Sequence, residues 1–188
     1  MEAMNELKEH LAGRGAEIRQ AKEKGTRVIG YVPGGFMPEE LVRAAGAVPV
    51  GLVRGGSSDA VAESASYLPR WIDTFCRSQI GFKVQGGEPA YDLADLTVIP
   101  VTDNNVRVLS DAWEFYRLGG IFKFGVPHRK TDRALAYYLH GIQALKKRVE
   151  EATGQEATTE RLREAIALCN KERALFRTIG SMSRDAAP

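Results

Sequence analysis

Tyr67–Asn105, YLPRWIDTFCRSQIGFKVQGGEPAYDLADLTVIPVTDNN, decides how this chain reads. Its closing part is an apolar run, Leu96–Val101 (LTVIPV), that stops abruptly at Thr102-Asp103-Asn104-Asn105. A continuous apolar run bounded by polar residues predicts a strand buried on both faces, as in a parallel sheet, with its carboxyl end opening into a site. Pro100 cannot donate a ladder hydrogen bond and is therefore placed at the strand end. Upstream in the same stretch lie Cys76 and its neighbour Arg77. If the chain carries chemistry, it is expected where Cys76 and Thr102–Asp103–Asn104 come together.

Outward from this strand, the pattern repeats. About Asn5–Lys22 reads as a helix closed by Gly25, and Thr26–Val32 (TRVIGYV) as a strand rich in β-branched residues. Pro33-Gly34-Gly35 turns the chain into a helix over about Pro38–Ala45, with Glu39 and Glu40 in its first turn. Val48–Val53 is a further strand, 54–59 a loop, and 60–82 one or two helices broken near Pro69. Gly86–Pro89 reads as a loop. After Leu96–Val101, a helix over about Val106–Leu118 carries Leu109, Trp113 and Tyr116 on one side, and Ile121–Val126 is an edge strand. Strand and helix alternate, which predicts an α/β fold: an open parallel four-stranded sheet flanked by helices, Rossmann-like, over residues 1–128.

The last third is helical. Leu135, Tyr138, Ile142, Leu145 and Val149 keep a spacing of three and four over about Thr131–Thr153. Gly154 stops that helix, and Thr158 or Thr159 caps a second one with Leu162, Ile166, Cys169 and Phe176 along its inner face. An antiparallel helical hairpin is expected over 129–180, with a disordered tail over 181–188.

Composition excludes several classes. The net charge of +2 is too small to argue for nucleic acid or an acidic membrane surface. No apolar run reaches the length of a membrane span, and the amino terminus lacks an apolar signal core, so the expected compartment is the cytoplasm. Two cysteines cannot build a disulfide framework and fall short of a zinc or iron–sulfur ligand set. His10, His128 and His140 show no metal spacing, and no Ser/His/Asp arrangement stands out.

Four blocks, in order, resemble the 2-hydroxyacyl-CoA dehydratase / benzoyl-CoA reductase family, as in the D-component of 2-hydroxyglutaryl-CoA dehydratase. Tyr137-Tyr138, Thr153-Gly154, Leu162–Ile166 and Asn170–Arg173 match its helical segment. GYVPGGFMPEELVRAAGAVPVGL resembles its first strand and P-E-x-x-x-A-A-G-x-x-P element, and VIPVTDNNVRVLSDAW its strand ending in a Cys-Asp pair. LPRWIDTFCRSQIG is set against a pattern L-P-x-x-x-C-x-x-x-[RK]-S-x-x-G. The resemblance covers about Thr26–Ile179 and only the amino-terminal half of a family subunit.

For a complete enzyme the resemblance implies that an ATP-dependent activator delivers a low-potential electron. A [4Fe–4S] cluster passes it to an acyl-CoA thioester, with dehydration or ring reduction as the outcome. The two cluster positions fall on Asp73 and Thr102, and Cys76 lies one turn later as the metal-ligand candidate. With that one candidate the chain alone does not complete a ligand set, and a second subunit, or a homo-oligomer, is the expected partner.

Each candidate has a second reading. Cys76 is either a ligand, its thiolate favoured by Arg77, or a small buried apolar residue. Thr102, Asp103 and Asn104 either contact substrate or cap the next helix, and Arg77 is a further substrate-binding candidate. Gly34 and Gly35 either cradle a phosphate or the pantetheine arm of coenzyme A, or simply turn the chain. Cys169 reads as core packing.

Overall fold

The computed structural model describes residues 2–34 and 36–185. Along the chain run α1 (Glu2–Glu23), β1 (Val28–Tyr31), α2 (Glu39–Ala44), β2 (Val48–Gly51), α3 (Ser58–Glu63), α4 (Thr74–Gln85), α5 (Pro89–Asp92) and β3 (Leu96–Val101). They are followed by α6 (Asn104–Phe115), β4 (Ile121–Gly125), α7 (Asp132–Thr153) and α8 (Thr159–Asp185). The strands form one parallel sheet in the order β2-β1-β3-β4. The α/β alternation predicted from strand-length apolar runs is therefore the fold, with β4 at an edge.

The chain leaves β1 towards β2 and returns past it to β3. With crossovers of constant hand, that reversal must put α2 on one face and α3–α6 on the other. The cores obey this. Leu41, Val42, Ala44, Leu145 and Val149 pack with Ile29, Val98 and Phe124 on one face. Ile80, Tyr91, Leu109 and Trp113 pack with Ile99 on the other. Both faces of β3 are thus covered, which is why LTVIPV carries no alternation of polar and apolar residues.

Pro100 sits one residue inside β3, paired in register with Phe124 of β4. Along a strand the amides alternate in direction. The Thr97 amide donates to Gly120 O on the β4 side, and Val98 O receives the Val32 amide on the β1 side, so position 100 faces β1. Ladder pairing with β1 has ended by then, the last register pair being Tyr31 with Val98. Proline offers no donor to that side, so pairing with β1 stops before it, while pairing with β4 carries the strand on to Val101.

The amino-terminal edge of the sheet is tied by Asp95. Its carboxylate accepts from Lys22 Nζ (3.1 Å), an Arg27 guanidinium nitrogen (3.1 Å) and the Val28 amide (2.9 Å), while its own amide donates to Val28 O. Burial pushes this carboxyl up, but the Val28 amide, Lys22 and Arg27 outweigh burial and hold it below the usual range. A depressed carboxyl stabilises the fold above its unfolded pKa, near 3.9, and loses that contribution as pH falls through the folded value. Asp95→Asn is therefore expected to cost about 2 kcal/mol at pH 7. In urea titrations the deficit relative to the parent should shrink below about pH 4; a pH-independent deficit would contradict it.

Several boundaries differ from those the sequence predicts. Gly86–Pro89, read as loop, leads into the short helix α5, because Pro89 occupies a first-turn position where no amide is needed. Tyr116, placed on the side of Leu109 and Trp113, is exposed, since α6 ends at Phe115 and Tyr116 is its cap. On α8, Ala165 and Cys169 are buried, while Ile166 and Phe176, assigned to the inner face, are exposed. α8 lies on α2, held by Arg43 to Glu172 (3.1 Å) and by Arg173 to Glu40. Ala165 joins Leu41, Val42 and Ala44 of α2 in one apolar cluster, and a narrow Ala165/Cys169 stripe of α8 is what this contact buries. The helix continues through Gly180 to Asp185 in the region where a disordered tail is expected, and 186–188 lie outside the described residues.

Candidate functional site

Parallel strands bring their carboxyl ends to one edge of the sheet, and ligands bind there where strand order reverses. In this chain the reversal lies between β1 and β3, so the loops after Tyr31 and Val101 flank it. These are the loops that carry Gly34 and Thr102–Asn104. Gly34 is exposed with a φ of +157°, a backbone region that side chains avoid. Gly35 lies outside the described residues.

At β3 the polar stop has a local physical role. Asp103 caps α6: its Oδ1 accepts from the amides of Asn105 (2.8 Å) and Val106 (3.1 Å), and its Oδ2 from the Thr102 hydroxyl (2.9 Å). Burial raises the Asp103 carboxyl, but the Val106 amide, Thr102, the Asn105 amide and nearby His128 more than offset this, leaving it below the ordinary range. Asp73 caps α4 in the same manner, accepting from the Cys76 amide at 2.9 Å. The two caps meet, since Asn105 Oδ1 accepts from the Asp73 amide at 3.3 Å. Both positions that the resemblance equates with cluster cysteines thus belong to helix-capping networks. Asn104, the first residue of α6, is exposed, and its side chain has no hydrogen-bond partner among the described residues.

Cys76 lies near these caps but not on their surface. It is 1% exposed and packs in the core with Ile72, Leu68 and Ile80. Burial pushes its thiol well above the normal range, and hydrogen bonding with Asp73 and the charges of Asp73 and Asp103 push the same way. Arg77 does not offset this. Its guanidinium turns to α3, donating to Val61 O (2.9 Å) and Ser64 Oγ (3.2 Å). One helical step separates Cys76 and Arg77 by about 100°, so sequence adjacency puts them on different faces of α4. The expectation that Arg77 favours a Cys76 thiolate is corrected accordingly, and Arg77 is a structural clamp away from the strand ends.

A [4Fe–4S] cluster needs converging thiolates. Cys169 is buried on α8, which packs on α2 on the opposite face of the sheet, and no group of three or more His, Cys, Asp or Glu able to hold a metal occurs among the described residues. The residues of this chain do not by themselves fit the cluster.

A cavity of about 380 Å³ opens beside the β1 loop, between it and the start of α7. Phe36, Val126, Leu135 and Tyr138 line it, with Arg129 and Lys130 among its polar residues. Tyr138 is fixed in place by donating to Phe36 O at 2.8 Å. Periodicity places Leu135 and Tyr138 in a core stripe, but the α7 stripe is buried only at Leu145 and Val149, and its first turns overhang the edge strand. The sequence signal for this site is the basic pair between a strand and a capping threonine, Arg129-Lys130-Thr131.

Comparison with known proteins agrees with the sequence resemblance. The family model for the 2-hydroxyglutaryl-CoA dehydratase D-component matches residues 35–188. The chain is 29% identical to a benzoyl-CoA reductase subunit of Thauera aromatica over 172 residues, covering 89% of this chain and 44% of that protein. It is 30% identical to the putative dehydratase subunit YjiM of Escherichia coli K12 over 174 residues, covering 90% and 44%. It is 26% identical to (R)-2-hydroxyglutaryl-CoA dehydratase subunit beta of Acidaminococcus fermentans over 171 residues, covering 89% and 44%. The chain thus spans less than half the length of these relatives. With four parallel strands, strand-end loops where the family blocks fall, and a family match over most of its length, the chain belongs to the 2-hydroxyglutaryl-CoA dehydratase D-component family.

Proposed function

We propose that this chain serves as a subunit, or the amino-terminal part, of a 2-hydroxyacyl-CoA dehydratase/benzoyl-CoA reductase-type enzyme. The family match over 35–188 carries this reading, because the relatives include a benzoyl-CoA reductase and a 2-hydroxyglutaryl-CoA dehydratase, each as one subunit. In it, an acyl-CoA thioester binds at the strand ends near Gly34, Asp103 and Asn104. A partner chain supplies the cluster, and an ATP-dependent activator supplies the electron. When bound, the cluster provides one-electron reduction of the thioester. This chain contributes the backbone of the β1 turn, the exposed Asn104 amide and the fixed charge of Asp103. An exposed apolar seam on α8, Leu168, Leu175, Ile179 and Met182, supports a larger assembly, since large apolar faces of this kind mark contact surfaces.

A second reading is a cluster-free acyl-CoA-binding or assembly module of the same fold, and the burial of Cys76 favours it for the chain in isolation. Iron chemistry separates the two from a self-sufficient enzyme. After anaerobic incubation with ferrous iron and sulfide, the 188-residue chain alone is expected to stay colourless. Iodoacetamide is expected to leave both cysteines unmodified in native protein and to add twice on unfolding in urea, read by intact mass, because only an accessible thiolate reacts. About four irons per chain, or rapid alkylation of Cys76 in the native state, would show that this chain carries the cluster itself. Iron bound only after mixing with a co-encoded longer subunit supports the first reading.

A further inference from the structure

The cavity beside the β1 loop joins two kinds of surface. Its floor is apolar, made by Phe36, Val126, Leu135 and the ring of Tyr138. Its rim carries Arg129 and Lys130, both exposed, and neither has an ion-pair or hydrogen-bond partner among the described residues. Asp132 is the opposing charge on that rim, and it sits in the first turn of α7, where a carboxylate complements the positive end of the helix. Thr131 caps the Ala134 amide (3.2 Å), and the Asp132 and Arg133 amides have no side-chain acceptor among the described residues. Two unpaired cations beside a preformed apolar hollow suit a ligand that is charged at one end and apolar along its length.

We propose that this cavity binds an organic anion with an apolar arm, its phosphate or carboxylate held by Arg129 and Lys130 and its arm laid on Phe36, Val126, Leu135 and Tyr138. The identity of that ligand as a CoA thioester rests on the acyl-CoA reading above, whereas the location rests on the cavity. The strand-end loop and the cavity share Phe36, so an arm lying in the cavity ends beside Gly34. The pairing of charges is exposed to solvent, so binding weakens as ionic strength rises.

Calorimetry on the full chain tests this with butyryl-CoA, decanoate and inorganic phosphate as probes. The variants are Arg129→Ala/Lys130→Ala and Leu135→Glu, all at exposed positions, with circular dichroism to confirm the fold. Butyryl-CoA is expected to bind the parent, at least tenfold more weakly to either variant, and the double variant should lose most of the salt dependence. Butyryl-CoA binding that neither variant changes overturns the location while leaving the acyl-CoA reading intact. Decanoate bound and lost in both variants, with no butyryl-CoA binding, supports the cavity and overturns the acyl-CoA reading. Phosphate binding as tightly as either amphiphile, or no probe binding at all, overturns the proposal.

Discussion

Gly81→Ala is expected to destabilise the fold by about 3 kcal/mol or more, although alanine is the better helix former by about 1 kcal/mol. A Cβ on Gly81 would stand 1.8 Å from Ala60 O and 2.4 Å from Ala60 C, backbone atoms of α3 that no rotamer change can move. Ala60 is fully buried, so the two helices would have to separate. Separation also pulls apart the Arg77 contacts to Val61 and Ser64 that cross the same junction. For a chain of this size the loss corresponds to a melting temperature lower by about 6–12 °C. A variant melting within about 2 °C of the parent would show that the crossing is not as close as described. Gly81 is the last residue of the L-P-x-x-x-C-x-x-x-[RK]-S-x-x-G pattern, and helix contact explains a glycine there without any role in chemistry.

Trp113→Ala is the second large effect, expected at about 3–5 kcal/mol in urea unfolding. Trp113 is among the largest fully buried side chains and sits on α6 against the β3–β4 half of the sheet. Trp113→Phe is expected to cost distinctly less than truncation. The indole N–H is buried with no hydrogen-bond partner among the described residues, so replacing it removes an uncompensated desolvation of about 1–3 kcal/mol while most of the ring volume remains. Equal losses in the two variants would mean that the indole nitrogen has a partner.

These two positions show different kinds of legibility. Trp113 is readable, since Leu109 and Trp113 are four residues apart on a capped helix and both are buried. Gly81 is readable only as a motif letter. Its reason is a contact with Ala60, distant in sequence, and no local pattern encodes a crossing distance.

The candidate site divides the same way. Apolar runs and polar stops place β1, β3 and the loops after them, and with parallel topology this locates the strand-end edge. Which residues meet at that edge cannot be taken from sequence proximity, which is a poor guide on a helix. Cys76 and Arg77 are neighbours in the chain yet face a core and a clamp respectively. Conversely, Phe36 and Tyr138 are far apart in sequence and joined by a hydrogen bond at the cavity.

By itself the sequence determined the elements: strands from uninterrupted apolar runs, helices from three-and-four spacing, and helix starts from polar residues such as Asp103, Thr131 and Thr158. These are local matters, set by backbone sterics and hydrogen bonding over a few residues. The tertiary structure alone decided which apolar stripe is covered. On α8 the Ala165–Cys169 stripe meets α2, whereas Leu168, Leu175, Ile179 and Met182, just as regularly spaced, stay exposed. Periodicity records that a face can be buried. What buries it depends on the surface another element presents, and for α8 that surface is the six-residue helix α2, which offers Leu41, Val42 and Ala44 and is bridged to α8 by Arg43–Glu172 and Glu40–Arg173.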